Sequence, residues 1–436
     1  MTLAQQSPRT LRVAVLGGGT VGAALVGLLR SRADELTVQA GARLELAGIA
    51  VSDLDRPRPD HVPTELLTTD AAGLAADPSV DIVVELIGGI EPPATLVTAA
   101  LTAGKPVVTA NKALLASRQG IGLRSLARER GVDLLYEAAV AGAVPLVRVL
   151  RESLTGERIQ RVMGIVNGTT NYILTKMADR GADFADVLAE AQALGLAERD
   201  PTADVEGHDA AAKAAILAGL AFGYDVSSDE VACEGITGVR AMDVAYAQRA
   251  GYAVKLLAVV ERVGDDEVSV RVHPSLVPVS HPLASVRDAC NAVFIEGEAA
   301  GEVMLSGQGA GGVPTASAVL GDLLDAARNL LAGATAPTPE RKPGRVVDPS
   351  GLRTAFYLSL DVADRAGVLA AVARTFSDHG VSIRSMEQED LDDGARLTLL
   401  THAAREGDVA ATVDALGSLE VVRRVGGVLR VTGEPS

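Results

Sequence analysis

The sequence predicts an α/β protein: a Rossmann-type doubly wound parallel sheet, then an α+β domain, then a βαββαβ ferredoxin-like module. Three observations carry that reading. From residue 11 to about 140, short apolar runs alternate with helical stretches, the pattern of a parallel sheet covered on both faces. Beyond VDLLYEAAV the helices lengthen and later strands such as EVSVRVHP and NAVFIEGE follow. Finally GATAPTPERKPGR, residues 333–345, rich in Pro, Gly and charge, sets off a C-terminal segment.

Taken in order, LRVAVLGGG reads as a buried strand ending in glycines, TVGAALVGLLRSR as a helix, and LELAGIAVSD, DIVVELIGG and KPVVTANK as further strands. Helices are expected over 171–180, 184–194 and 208–222, and TASAVLGDLLDAARNLLAG forms one more. The C-terminal segment gives strand (AFYLSLDV), helix (GVLAAVARTFSDHG), two strands (VSIRSMEQED, ARLTLLTHAA), helix (DVAATVDALGSL) and strand (VVRRVGGVLRV). The boundaries follow: a doubly wound domain over 1–140, an α+β domain over 141–320, and a helix over 321–335 packing back on the first domain. A linker over 336–350 leads to a regulatory domain over 351–436.

Composition narrows the function. The 436 residues are 48% hydrophobic and 22% charged, with a formal charge of −16. Nucleic acid is an unsuitable partner for such a chain, because counterion release needs clustered Lys and Arg. No apolar run approaches the length of a membrane span, and MTLAQQSPRT lacks the basic and apolar regions of a signal peptide, so a cytoplasmic location is expected. Cys233 and Cys290 are too few for a disulfide framework or a zinc site and read as buried free thiols.

Gly17-Gly18-Gly19-Thr20-Val21-Gly22 fits G-x-G-x-x-G between a strand and a helix, the setting in which glycines admit a pyrophosphate to a helix N-terminus. At the end of the second strand, Ser52 and Asp53 are candidate readers of the adenosine ribose. Asp53 favours NAD; Arg56 and Arg58 offer a partner for the 2′-phosphate of NADP instead. Lys112, after the strand KPVVTANK, falls at the crevice end of the sheet, where a plain surface lysine is equally common. VNGTTNYIL, residues 166–174, places helix-capping residues whose amides also suit a carboxylate. The acidic run Glu198 to Asp209 reads either as a solvated loop or as acceptors for a substrate ammonium; its spacing is not that of a calcium loop.

VEGHDAAAKAAILAG, residues 205–219, sets Lys213 four residues after Asp209 in an otherwise apolar helix. Such a pair stabilises an exposed helix by only ~0.2 to 0.5 kcal/mol. Burying an unpaired ammonium costs several kcal/mol, which makes a working lysine, exchanging a proton with a substrate hydroxyl while a hydride leaves for nicotinamide, the alternative to a structural pair.

With these residues assembled, the chain resembles the homoserine dehydrogenase family, which interconverts L-homoserine and L-aspartate 4-semialdehyde with NAD(P)(H). The likeness rests on GGGTVG, TANKALL, YEAAVAGAVP, GIVNGTTNYIL, the run from Glu198 to Lys213, and GQGAGGVPTASAV, and it spans essentially the whole sequence. The resemblance implies that Lys213 donates or accepts the proton with Asp209 as its orienting partner, and that Glu198 and Asp204 hold the substrate. It places Lys112 between cofactor and substrate and Gly311 beside the nicotinamide. Glu137 and the carbonyls of Val140, Gly142 and Val144 resemble the family's structural sodium site. NADP-preferring members tend to carry arginine where this chain has Ser52, which leans the reading toward NAD tolerance or dual use. The C-terminal module resembles an ACT domain, with Asp364 to Leu369 as its ligand turn and threonine as the implied effector. Ser382 stands where ligand-binding copies often have asparagine, so dimerisation alone is the other reading. A homodimer or homotetramer is expected.

Overall fold

The computed structural model of the chain describes residues 9–343 and 345–433; most of the N-terminal stretch discussed above lies outside them. The chain forms two compact units, Met1–Arg158 with Ala215–Asp229 and Leu305–Gly344, and Ile159–Ala214 with Glu230–Met304 and Arg345–Ser436.

In the first unit, β1 (Thr10–Leu16), β2 (Arg43–Ala50), β3 (Leu67–Thr68), β4 (Ile82–Glu85), β5 (Val107–Thr109) and β6 (Leu134–Leu135) lie in the order β3-β2-β1-β4-β5-β6. Every pairing is parallel. The strands are apolar on both faces because helices cover both, and the order reverses between β1 and β4, which opens a crevice at their carboxyl ends. The helix Thr20–Ser31 buries Gly22, Ala23, Leu25, Val26 and Leu29, a stripe at helical spacing. The 21-residue helix Gly312–Ala332 packs on it and buries Val319, Leu320, Leu323 and Ala327 in the same core.

The second unit is built on one mixed sheet. Cys290–Gly297, Ile159–Ile165, Tyr252–Arg262 and Glu267–Pro278 pair antiparallel in that order, with Gly301–Gln308 on the outer edge. Met163, Ile165, Leu257, Val259, Val277 and Phe294 form the core on one of its faces. The C-terminal module follows the expected order: Arg353–Val362, helix Val368–Asp378, Ile383–Leu391, Gly394–Thr401, helix Glu406–Gly417, Val422–Val431. Its helices close over Leu358, Leu360, Val372, Phe376, Leu397 and Leu399.

The module is joined to the rest of its unit strand to strand. Val422–Val431 pairs in parallel with Glu267–Pro278 at Ser275↔Arg430 and Leu276↔Val431. Behind that seam Asp243 is fully buried and accepts hydrogen bonds from Tyr357 Oη (2.8 Å), Ser359 Oγ (3.0 Å) and the backbone N–H of Arg240 (3.0 Å). Gly426 and Gly427 ride directly over this group: a Cβ would lie 1.8 Å from Arg240 Nη2 at the first and 2.7 Å from Asp243 Oδ2 at the second. Arg430 ties the two sides with ion pairs to Glu406 (2.8 Å) and Glu234 (2.7 Å). Around the expected linker, Lys342–Pro343 pairs with Tyr224–Asp225 and Arg345–Val346 with the start of Glu267–Pro278.

One expectation is corrected. Cys233 and Cys290 are exposed, not buried. Cys233 lies on a two-residue strand added beside Arg271–Val272, and Cys290 opens its strand straight after a turn, so neither sits at a position with layers on both sides. Among the described residues no helix is long and apolar enough to cross a membrane.

Candidate active site

The glycine turn after β1 divides its labour by position. Gly17 has φ +116°, and a Cβ there would lie 2.6 Å from the Leu86 carbonyl. A Cβ on Gly22 would lie 1.9 Å from the Gly17 oxygen, so only glycine lets the helix close onto the strand end. Above Gly19 there is open space, and this residue caps the helix Thr20–Ser31 without a side-chain hydrogen bond, leaving first-turn amides for an anion. Thr20 is exposed and Val21 half-buried at that end. Gly311 caps the helix Gly312–Ala332, whose first residue abuts Thr20: a Cβ on Gly312 would lie 3.0 Å from Thr20 Cγ2. Two helix N-termini therefore meet at the phosphate turn, which sequence spacing could not reveal.

At the far end of the crevice Ser52 and Asp53 are exposed after β2. Asp53 Oδ1 accepts from the Asp55 N–H (2.9 Å). Arg58 folds back over the same loop, donating to the carbonyls of Asp53 (2.6 Å) and Arg56 (2.9 Å), with Nε 3.5 Å from where a Gly18 Cβ would be. Lys112 is exposed at the start of the short helix Lys112–Leu115, capped by Asn111 Oδ1. Sequence reasoning missed Glu85. Fully buried at the end of β4, it accepts from the Ile87 N–H (2.7 Å) and Thr109 Oγ1 (2.6 Å), and so ties the turn after β4 to the end of β5. Asn111 Nδ2 adds a bond to the Gly89 carbonyl (2.7 Å).

In the second unit the acidic run and the lysine come together. The helix His208–Phe222 carries Asp209 and Lys213, 7% and 8% exposed. Lys213 Nζ donates to Asp209 Oδ2 (2.7 Å) and to the Val166 carbonyl (2.5 Å). Asn167, next in the chain, caps the helix Gly168–Arg180 through Oδ1, and its Nδ2 donates to Asp204 Oδ1 (2.7 Å) and Asp209 Oδ2 (2.9 Å). Asn291 Nδ2 reaches the same Val166 carbonyl (3.1 Å). Asp204, Asp209 and Lys213 are thus one cluster. Glu198 is exposed, and Gln192 Nε2 donates to its carbonyl (3.0 Å). The signal for Asn167 was present in VNGTT, but capping explained it; Asn291 carried no pattern at all.

The loop after β6 holds Glu137, 3% exposed, whose carboxylate accepts from the N–H groups of Val147 (2.8 Å) and Arg148 (2.9 Å). Burial pushes that carboxyl up. Ala141 and Gly142 follow with φ of 59° and 60°, a backbone curl on which a Gly142 Cβ would lie 2.3 Å from the Gly309 oxygen. Val144 accepts at its carbonyl from Leu146 N–H (2.8 Å). Among the described residues no group of three or more His, Cys, Asp or Glu gathers as a metal site, so a cation here depends on carbonyl oxygens. In the C-terminal module, Gly367 (φ 91°) opens the helix Val368–Asp378 without a side-chain cap.

A dinucleotide-type sheet with its phosphate turn in one unit, and a buried, carboxylate-paired lysine in the other, are the parts of an NAD(P)-dependent oxidoreductase. The homoserine dehydrogenase family model matches residues 145–324, its NAD-binding domain model residues 17–137, and the ACT domain model residues 356–421. A homoserine dehydrogenase of Corynebacterium glutamicum is 53% identical over 426 residues, covering 96% of this chain and 95% of its own. The crystal structure of a homoserine dehydrogenase from Thiobacillus denitrificans superposes with a TM-score of 0.91 at 40% identity, covering 97% of this chain and 98% of that one. A hyperthermophilic archaeal homoserine dehydrogenase in complex with NADPH matches with a TM-score of 0.62 at 29% identity, over 73% of this chain and 97% of its own. The chain belongs to the homoserine dehydrogenase family, and its reaction is the NAD(P)-dependent interconversion of L-homoserine and L-aspartate 4-semialdehyde.

Proposed function

We propose that Lys213 is the proton-transfer residue of this reaction. The observation that carries the reading is the pairing of its buried ammonium with Asp209 and the Val166 carbonyl on an apolar helix, which fixes the direction of the group. The nicotinamide, when bound, supplies or takes the hydride at the substrate's terminal carbon. In the reductive direction Lys213 gives a proton to the aldehyde oxygen; in the oxidative direction the neutral amine takes the hydroxyl proton. Asp209 holds the amine in place, Glu198 and Asp204 accept hydrogen bonds from the substrate ammonium, and Lys112 polarises the reacting carbonyl beside the cofactor.

Gly17, Gly19, Thr20, Val21, Gly22, Ser52 and Gly311 would line the cofactor. The open space over Gly19 and the two converging helix N-termini suit a pyrophosphate. Ser52 supports use of both NAD and NADP. Glu137 with the carbonyls of Val140, Gly142 and Val144 would hold a sodium ion in a structural role, a reading supported by the left-handed backbone at Ala141 and Gly142 and by the oxygen-only donor set. The parts we assign are the nucleotide domain 1–140, the substrate and dimerisation domain 141–320, the helix 321–335, the linker 336–350 and the regulatory domain 351–436, with threonine as effector. A cytoplasmic homodimer or homotetramer completes the reading. The direct test is NAD(P)H oxidation with L-aspartate 4-semialdehyde against other short aldehydes, with and without threonine. Equal rates on all aldehydes would remove the substrate-holding role from Glu198 and Asp204.

A further inference from the structure

Asn167 makes more bonds than a helix cap needs. Its Oδ1 accepts from the Thr170 N–H (2.9 Å) and Thr170 Oγ1 (3.0 Å), which fixes the amide so that both Nδ2 hydrogens face the other way. There they meet one oxygen each of Asp204 (2.7 Å) and Asp209 (2.9 Å). Asp209 Oδ2 is the same oxygen that accepts from the Lys213 ammonium. The residue is 5% exposed, and its own backbone is next to Val166, whose carbonyl takes the second Lys213 hydrogen bond.

We infer that Asn167 is a positioning residue that yokes the substrate-holding carboxylate Asp204 to the proton-transfer pair Asp209 and Lys213. Two carboxylates converging on one group repel unless something with positive edges lies between them, and a neutral amide supplies two N–H dipoles without adding a charge that would compete with the lysine. Asparagine is the side chain that can do this and cap the helix at once, because one end accepts while the other donates twice. The inference rests on the reading of Lys213 as the proton-transfer group.

The test separates the cap from the yoke. Asn167→Asp keeps the shape and the capping oxygen but replaces the donor by a third carboxylate; Asn167→Ser keeps a capping oxygen and removes the bridge. In Asn167→Asp we expect kcat to fall about 100-fold and the pH limb of kcat/KM for homoserine to move up by about one unit, with a lower Tm because a third carboxylate enters a buried acidic group. In Asn167→Ser we expect KM for homoserine to rise about tenfold, with the limb unmoved and cofactor KM unchanged. Wild-type kcat and an unmoved limb in Asn167→Asp, measured beside an inactive Lys213→Ala enzyme, would reduce Asn167 to a cap and overturn the inference alone. Turnover in Lys213→Ala at the wild-type rate would overturn both the inference and the reading beneath it.

Discussion

Lys213 and Asp209 stand one helical turn apart with 2.7 Å between Nζ and Oδ2, each less than a tenth exposed. A surface pair at this spacing stabilises little, whereas a desolvated one holds its ammonium in a single direction. Lys213→Ala should lower kcat by about a thousandfold, within the usual range for loss of a positioned acid–base group, while cofactor binding followed by fluorescence stays near wild type. Undiminished turnover would take Lys213 out of the chemistry.

In the proposed site, cofactor choice falls to the loop where β2 ends. Arg58 spends its guanidinium on the carbonyls of Asp53, Leu54 and Arg56, which leaves the Ser52 hydroxyl and the exposed Arg56 as the groups that could meet a 2′-phosphate there. Ser52→Arg should raise the NADP-to-NAD ratio of kcat/KM by about tenfold or more, the effect of one charge-assisted contact. An unaltered ratio would mean that the ribose is read elsewhere.

Lys255 is buried, donating to Asn171 Oδ1 (3.1 Å) and the Val286 carbonyl, and burial pushes its ammonium down to about 8. Its ordinary value is 10.5, so the folded state prefers the neutral amine. The stability it contributes is complete above about 10.5 and is lost as pH falls through about 8. Wild-type Tm should therefore rise relative to Lys255→Met between about pH 7.5 and pH 9.5. Parallel curves for the two proteins would place the titration outside this residue.

In the curl at Ala141 and Gly142, the Gly142 position has no room for a side chain. Gly142→Ala adds left-handed strain of about 1 kcal/mol to a contact 2.3 Å from the Gly309 oxygen. Differential scanning in sodium and in a bulky organic cation should show the wild-type gain in Tm with sodium and its loss in the variant. A gain of the same size in both would move the cation site away from this loop.

At the seam, Asp243→Ala should destabilise the protein by about 3 kcal/mol in denaturant unfolding, because Tyr357, Ser359 and Arg240 all lose their acceptor. Asp243→Asn, which keeps an acceptor oxygen, should recover part of that. Equal stability of all three proteins would show the group to be hydrated and unimportant.

Much of the fold was legible because its elements follow local rules. The alternation that gave β1 to β6 reflects strands buried on both faces, and the βαββαβ order of the C-terminal segment came from periodicity and turn residues. The glycine turn was legible for the same reason: steric demands at Gly17 and Gly22 leave one residue type. Lys213 stood out because an ammonium in an apolar helix is costly. What stayed hidden was long-range. Asn167 looked like a cap since its second set of partners lies 37 and 42 residues away. Glu85 looked like the end of an apolar strand, and its partners come from a neighbouring strand and turn. The cysteines were misjudged because average burial by residue type says nothing about strand ends.

The strand Val422–Val431 occupies the open flank of Glu267–Pro278, and Tyr357 stacks 5.1 Å from Tyr246 over the covered Asp243. A chain halted before residue 353 would bare unpaired amides, an aromatic ring and a stranded carboxylate at once, the combination that invites self-association. Shortened versions of this protein would then lose activity through clumping, whatever becomes of effector control. Point changes on the ligand turn at Asp364 to Leu369 are the cleaner instrument for asking what the module senses.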